Sequence, residues 1–198
     1  MPFTAAIMAC VLGYVWIIEP RVSRSAVLVP ASVVIILTAW HDLRHREWGF
    51  SWSAVLPGLW RALAVTVVAV VVIVGAGAAI GTLHDRRDFL GSLAPLVVWG
   101  GAQQWVLQTV VLREAQRISS RANGIVIAAV LFGAIHLPNP LLAPLTGAAA
   151  LIWCRLYDRH PNIIPLALSH GLGTLALRYA FDERIIGHLR IGAAYLRQ

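Results

Sequence analysis

The residues best suited to chemistry are carboxamides and imidazoles set inside apolar runs. Gln103, Gln104 and Gln108 lie in a run from about 89 to 112 that is long enough to cross a bilayer. Phe132 and His136 form a second pair, four residues apart, and His170 and Thr174 form a third. Hydrocarbon offers no partner to an amide or an imidazole, so such groups turn toward protein or a wet cavity. At about 100° per residue, Gln104 and Gln108 share one helix face and Gln103 sits about a quarter-turn away.

A carboxamide can hold water and donate to an oxyanion, and a neutral imidazole can take a proton near neutral pH. Plainer roles compete. A single intramembrane glutamine is more often packing glue, and His136, beside a proline turn, could cap a freed carbonyl. His170 lies mid-span with no helix end to excuse it, which favours function. His41, His45, His84, His160 and His188 fall in loops or the tail and are given no role. Two intramembrane histidines without a Cys, Asp or Glu in the spans make a poor zinc site, so no metal and no cofactor is expected. HExxH, GxSxG and phosphate-loop motifs are absent from the sequence. Residue types alone specify a buried polar site and no more.

The elements that must position these groups follow from composition. The chain has 198 residues, 59% hydrophobic and 13% charged. Soluble domains carry about 25% charged residues, so here the apolar surface is spent on lipid. All 16 basic residues are arginine and the formal net charge is +7. Scattered through short loops, these arginines set orientation and meet anionic headgroups, not nucleic acid. Cys10 and Cys154 fall in apolar spans and read as buried thiols. Met1 to Cys10 lacks a basic leader region and reads as a retained first span.

The expected fold is all-α, a multi-span membrane helix bundle of about seven transmembrane helices, or eight if the tail crosses. The spans run from about 3 to 18, 26 to 40, 59 to 80, 89 to 112, 122 to 137, 141 to 157 and 163 to 180. The charged segment from His41 to Glu47 is placed in water or headgroups, with Trp48 and Trp52 marking the interface. The run from 64 to 74 is rich in β-branched residues, yet its length and lack of alternation make it a lipid-facing helix. Pro138-Asn139-Pro140 reads as a tight reversal. The chain is read as one integral membrane domain, 1–198, with a core over 89–180. The tail, 181–198, is read as an amphipathic surface helix or a partial last span.

Loops after the second, fourth and sixth spans hold the arginine excess, which places the N-terminus in the cytoplasm. From the Arg113, Arg121 and Arg159 side, Gln103, His136 and His170 lie ~15, ~22 and ~16 Å deep at ~1.5 Å per residue. They share one slab of the bilayer. Gly100, Gly101, Gly133, Gly171 and Gly173 flank them, and small residues let helices approach closely. One shared polar pocket is the expectation.

At these three motifs the chain resembles the CPBP family of CAAX-protease and bacteriocin-processing membrane proteins, which includes glutamate-type intramembrane proteases. The family pattern is EExxxR, then FxxxH, then HxxxN or HxxxD. Here the matching segments are Gln103-Gln104-Trp105-Val106-Leu107-Gln108, Phe132-Gly133-Ala134-Ile135-His136 and His170-Gly171-Leu172-Gly173-Thr174. The resemblance implies a bacterial cytoplasmic-membrane peptidase. It assigns catalytic positions to Gln103, Gln104, His136, His170 and Thr174, and substrate contact to Gln108 and Phe132. Both family glutamates, the arginine and the final Asn or Asp are replaced. Gln103 cannot accept a proton at accessible pH, so it is no general base. Losing two carboxylates with their arginine removes a charge cluster without stranding an ion.

Two functions remain open on these residues. One is a peptidase in which His136 is the base, while Gln103, Gln104 and His170 hold water and the oxyanion. The other is a pseudoprotease that binds a membrane protein or peptide in the same cavity without cutting it. In either case the partners are a membrane-proximal protein or peptide segment and the lipid bilayer. A transporter is disfavoured, since the spans carry no acid to couple protons.

Overall fold

A computed structural model of the chain describes residues 1–84 and 89–197, apart from the side chains of Arg24, Phe89 and Leu90. The charged stretch from Asp85 to Asp88 lies outside the described residues. Secondary structure is helical throughout them, with one isolated antiparallel bridge, Phe50 to Asn162. The longer helices are α1 (Pro2–Gly13), α2 (Leu28–His45), α3 (Val55–Ala79), α4 (Phe89–Trp105), α5 (Leu112–Ile118), α6 (Arg121–Ala134), α7 (Leu142–Arg159) and α8 (Ile163–Ala180). Among the described residues three stretches are long and apolar enough to cross a membrane: Pro2–Arg21, Ser25–His45 and Trp52–Ala79. The described residues gather into two compact units.

One unit comprises Gly49–Trp105 and Arg155–His188, and α8 is its centre, packed against α3 and α4. Asn162 starts α8 by accepting from the Ile164 amide at 3.0 Å, as a helix N-cap does. At the other end α8 leaves carbonyls without helical partners. Thr82 Oγ1 donates to Ala180 O at 2.7 Å and the His84 amide to Tyr179 O at 2.9 Å, so the chain beyond α3 closes that end. Helix α3 buries a narrow stripe, Gly58, Ala62, Thr66 and Gly77, and exposes Leu63, Val67, Val68, Val71 and Val72. Its β-branched run faces outward, where a lipid-facing helix puts it. Gly77 is required: a Cβ there would overlap Ala180 O.

The other unit comprises Met1–Trp48, Val106–Cys154 and Leu189–Gln198. A π-helical turn, Val106–Val111, leads into α5, which pairs with α6 around Gly124, where a Cβ would meet the Gln116 backbone at 2.8 Å. Ser120 caps α6 through the Asn123 amide. The reversal at 138–140 is organised by Asn139, which is fully buried. Its Oδ1 accepts from the amides of Leu141 and Leu142 at 3.1 and 3.0 Å, and its Nδ2 donates to Arg190 O.

The structure departs from expectation at several places. Helix α2 continues past Trp40 to His45, and His41 and Asp42 are buried inside the protein instead of standing in water or a loop. Helix α5 carries the fourth predicted span beyond Leu112, and Glu114 turns inward. Cys10 is half-buried, whereas Cys154 is fully buried. Within the tail lie two four-residue helices, α9 (Glu183–Ile186) in the α8 unit and α10 (Gly192–Tyr195) in this one.

Glu114 has a defined task. Its carboxylate accepts from the Thr4 amide at 2.8 Å and the Phe3 amide at 3.3 Å, supplying the cap that α1 lacks locally. Burial works to raise this carboxyl's pKa, but hydrogen bonds from the Thr4 and Phe3 amides outweigh it, and the net shift is downward. A depressed folded pKa gives stability that is present above the unfolded carboxylate range and lost as pH falls through the folded value. Glu114→Gln should cost about 1.5–3 kcal/mol, the range for hydrogen bonds to a charged group. Unfolding in detergent should show that difference at pH 7 and a smaller one near pH 3.

Candidate functional site

The residues singled out from the sequence divide between the two units. Gln103, Gln104, His170 and Thr174 belong to the unit built on α8, and Gln108, Phe132 and His136 belong to the other.

In the first unit α4 and α8 are held close by absent side chains. A Cβ on Gly171 would stand 2.7 Å from Val97 Cγ2 and 3.0 Å from the Val97 amide nitrogen. A Cβ on Gly100 would stand 3.0 Å from His170 Cβ and Cγ, and one on Gly101 would stand 3.3 Å from Ala167 Cβ. The imidazole of His170 therefore lies over the α4 backbone at Gly100. One helical turn along α4, Gln104 is fully buried, and its Nε2 is 3.4 Å from His170 Nδ1. With the amide nitrogen on that side, Gln104 donates to Nδ1 and the imidazole keeps its proton on Nε2. A neutral donor pair of this kind can orient water or face an oxyanion.

Gln103 is half-buried, and among the described residues its buried Oε1 has no hydrogen-bond donor. Thr174 is half-buried one turn beyond His170 and is not drawn into the Gln104 pair. A contact that the motifs did not announce sits beside them. Thr66 Oγ1 on α3 lies 2.7 Å from Ser169 Oγ and 2.6 Å from Ala62 O, with both hydroxyls buried. The bond ties α3 to the residue next to His170. The signal was available, as Thr66 is the lone polar residue of its apolar run.

In the second unit His136 is buried near the end of α6, and its Nδ1 lies 2.7 Å from Phe132 O. A carbonyl can only accept, so Nδ1 carries the proton and Nε2 keeps its lone pair. Phe132 holds the imidazole edge-on at a centroid distance of 5.0 Å and is itself packed edge-on against Trp153 at 6.4 Å. The Phe–x–x–x–His spacing thus supplies both the carbonyl and the ring that fix the histidine's tautomer and orientation. Gln108 lies in the π-helical turn and is fully buried beside Thr109. The π-turn departs from the uniform 100° spacing assumed for this stretch, and such turns are common at functional sites.

Residues 85–176 match the family model for type II CAAX prenyl endopeptidase Rce1-like proteins. The matched segment contains every position carried over from the three motifs, Gln103 through Thr174. No curated protein and no solved structure matches the chain.

Three substitutions test this geometry. Gly171→Ala drives a methyl group against the Val97 backbone and should destabilise the fold by about 1–3 kcal/mol, the usual cost of overpacking. Gly173→Ala, whose Cβ would meet nothing within 4 Å, should be neutral or slightly stabilising by helix propensity. Thr66→Val should cost about 1 kcal/mol for the lost hydroxyl bond. Denaturant titrations of the purified chain in micelles would rank the three.

Proposed function

Starting from a chain that carries a CPBP-family, Rce1-like segment over residues 85–176, we propose that it is an intramembrane endopeptidase acting on membrane-proximal peptide segments. The observation that carries the reading is the buried Gln104–His170 pair, a neutral donor arrangement built at the expense of two close glycine contacts. In this reading His170, with Gln104 and Gln103, holds water and the developing oxyanion, and Thr174 replaces the last polar group of the third motif. His136 is the base, because its Nδ1–H is committed to Phe132 O and its Nε2 is a neutral acceptor. Gln108 and Phe132 shape the surroundings of the peptide. No cofactor enters the scheme.

The proposal extends to the membrane setting. The chain is taken as one integral domain of seven spans in a bacterial cytoplasmic membrane, with its N-terminus inside and 89–180 as the core. An eighth span is disfavoured because the tail is broken into four-residue helices.

One observation favours a second reading. Amides stand where the family pattern has both glutamates, and an amide cannot take a proton from water. A pseudoprotease would bind the same segments without hydrolysis.

A survey of new N-termini separates the two. Membranes from cells making wild type or His170→Ala at equal levels should differ in a set of peptide ends that vanish with the substitution. Identical profiles would remove the peptidase reading and leave the binding one. Gln103→Glu should raise cleavage at least tenfold if position 103 is where a base acts, since positioned general bases contribute about 10²–10⁴-fold. A folded variant with no gain would exclude that position from the role.

A further inference from the structure

Apart from the motif residues, the unit containing α1 and α2 holds a cavity of about 350 Å³ lined by Met1, Pro2, Phe3, Arg44, His45, Glu114, Arg117 and Ile118. That volume sits at the lower end of ligand pockets, roughly 300–1,000 Å³. Its lining combines the apolar side chains of Met1, Pro2, Phe3 and Ile118 with Arg44, Arg117, His45 and Glu114, and most of the exposed wall is apolar. Two arginines face one glutamate, and both Glu114 oxygens already accept from the Phe3 and Thr4 amides.

The arginines differ in how they are held. Arg117 is anchored from behind by buried groups. Asp42 Oδ1 lies 3.0 Å from His41 Nδ1, so His41 donates there and its Nε2 accepts from Arg117 Nη1 at 3.2 Å. His41 is fully buried and Asp42 nearly so. Glu47 lies between Arg113 and Arg117, at 3.4 and 3.8 Å. Arg44 is exposed and has no hydrogen bond or ion pair among the described residues. A guanidinium held by a buried His–Asp pair, beside a second with no ion pair, sets two delocalised cations on one wall, the kind of group that recognises phosphate.

The surroundings identify the anion. Trp40, whose ring packs on Phe3 at 5.9 Å, is 56% exposed, and Leu43 and Ile118 are 64% and 63% exposed. Apolar side chains this open, with a tryptophan among them, belong at the membrane–water interface. An occupant reaching the cavity must present an anion to Arg44 and Arg117 and hydrocarbon to Pro2, Phe3 and Ile118. We propose that the cavity binds the headgroup phosphate of an anionic phospholipid, a site independent of the peptidase reading.

The test uses the full chain, purified and delipidated in an uncharged detergent and titrated in native mass spectrometry. Phosphatidylglycerol should bind saturably with one lipid retained, and phosphatidylcholine should not displace it. Arg44→Gln should weaken binding about fivefold, the equivalent of about 1 kcal/mol for one arginine at an anionic surface. Arg155→Gln, an exposed arginine that does not line the cavity, should leave binding unchanged. Arg117→Gln disturbs the buried network and could unfold the chain, so Arg44→Gln decides. Equal binding of the two lipids, or an equal loss in Arg44→Gln and Arg155→Gln, would overturn the proposal. Displacement of the lipid by millimolar inorganic phosphate would overturn it in favour of a site for free anions.

Discussion

The close approach of α4 and α8 is the constraint on which the candidate site depends. In a bilayer, apolar side chains gain nothing by leaving lipid for one another, so packing and hydrogen bonds must supply the association. Gly171 lets α8 lie on the backbone at Val97, and Gly100 leaves room for the His170 ring. With the helices at that distance, Gln104 reaches His170 and two polar groups that hydrocarbon would penalise satisfy one another. The dependence runs both ways, since the polar pair also rewards the close approach. Thr66 and Ser169 repeat the device on the opposite side of α8, toward α3.

An amide at position 104 changes more than charge. A carboxylate would accept from Nδ1–H of His170 and leave Nε2 as the ring's acceptor. The amide donates instead and turns the imidazole over, so that Nε2 becomes a donor. His136 has the opposite arrangement, with its proton on Nδ1 against Phe132 O. The two histidines are thus set in complementary states by nearby groups, and no ion is needed to do it. Position 108 is fully buried, and a guanidinium there would need a buried anion beside it.

Much of this was legible in the sequence, for reasons that can be traced to particular residues. The span from 163 to 180 is bounded by Asn162, a strong cap, and by a polar tail, so its ends coincide with α8. Long apolar runs announced α1, α2 and α3. Charged residues misled. His41 and Asp42 read as solvated because charge runs usually are, and only a tertiary partner, Arg117 on His41, makes their burial tolerable. The π-turn at 106–111 was hidden as well, since nothing in Val106-Leu107-Gln108 marks a wider turn. Asn139 read as part of a proline reversal, whereas its amide caps one helix and holds the tail.

The cap on α1 bears on how the protein is made. Thr4 and Glu114 are 110 positions apart, and the carboxylate is the group that satisfies the first amides of the helix. A chain leaving the ribosome exposes residue 4 long before residue 114 exists. Through that interval the leading amides of α1 have only water or lipid headgroups to bind, which keeps that end at the bilayer surface while three further helices are synthesised. Arrival of Glu114 then fastens α1 to α5. Translation order and the final architecture are joined at a single carboxylate.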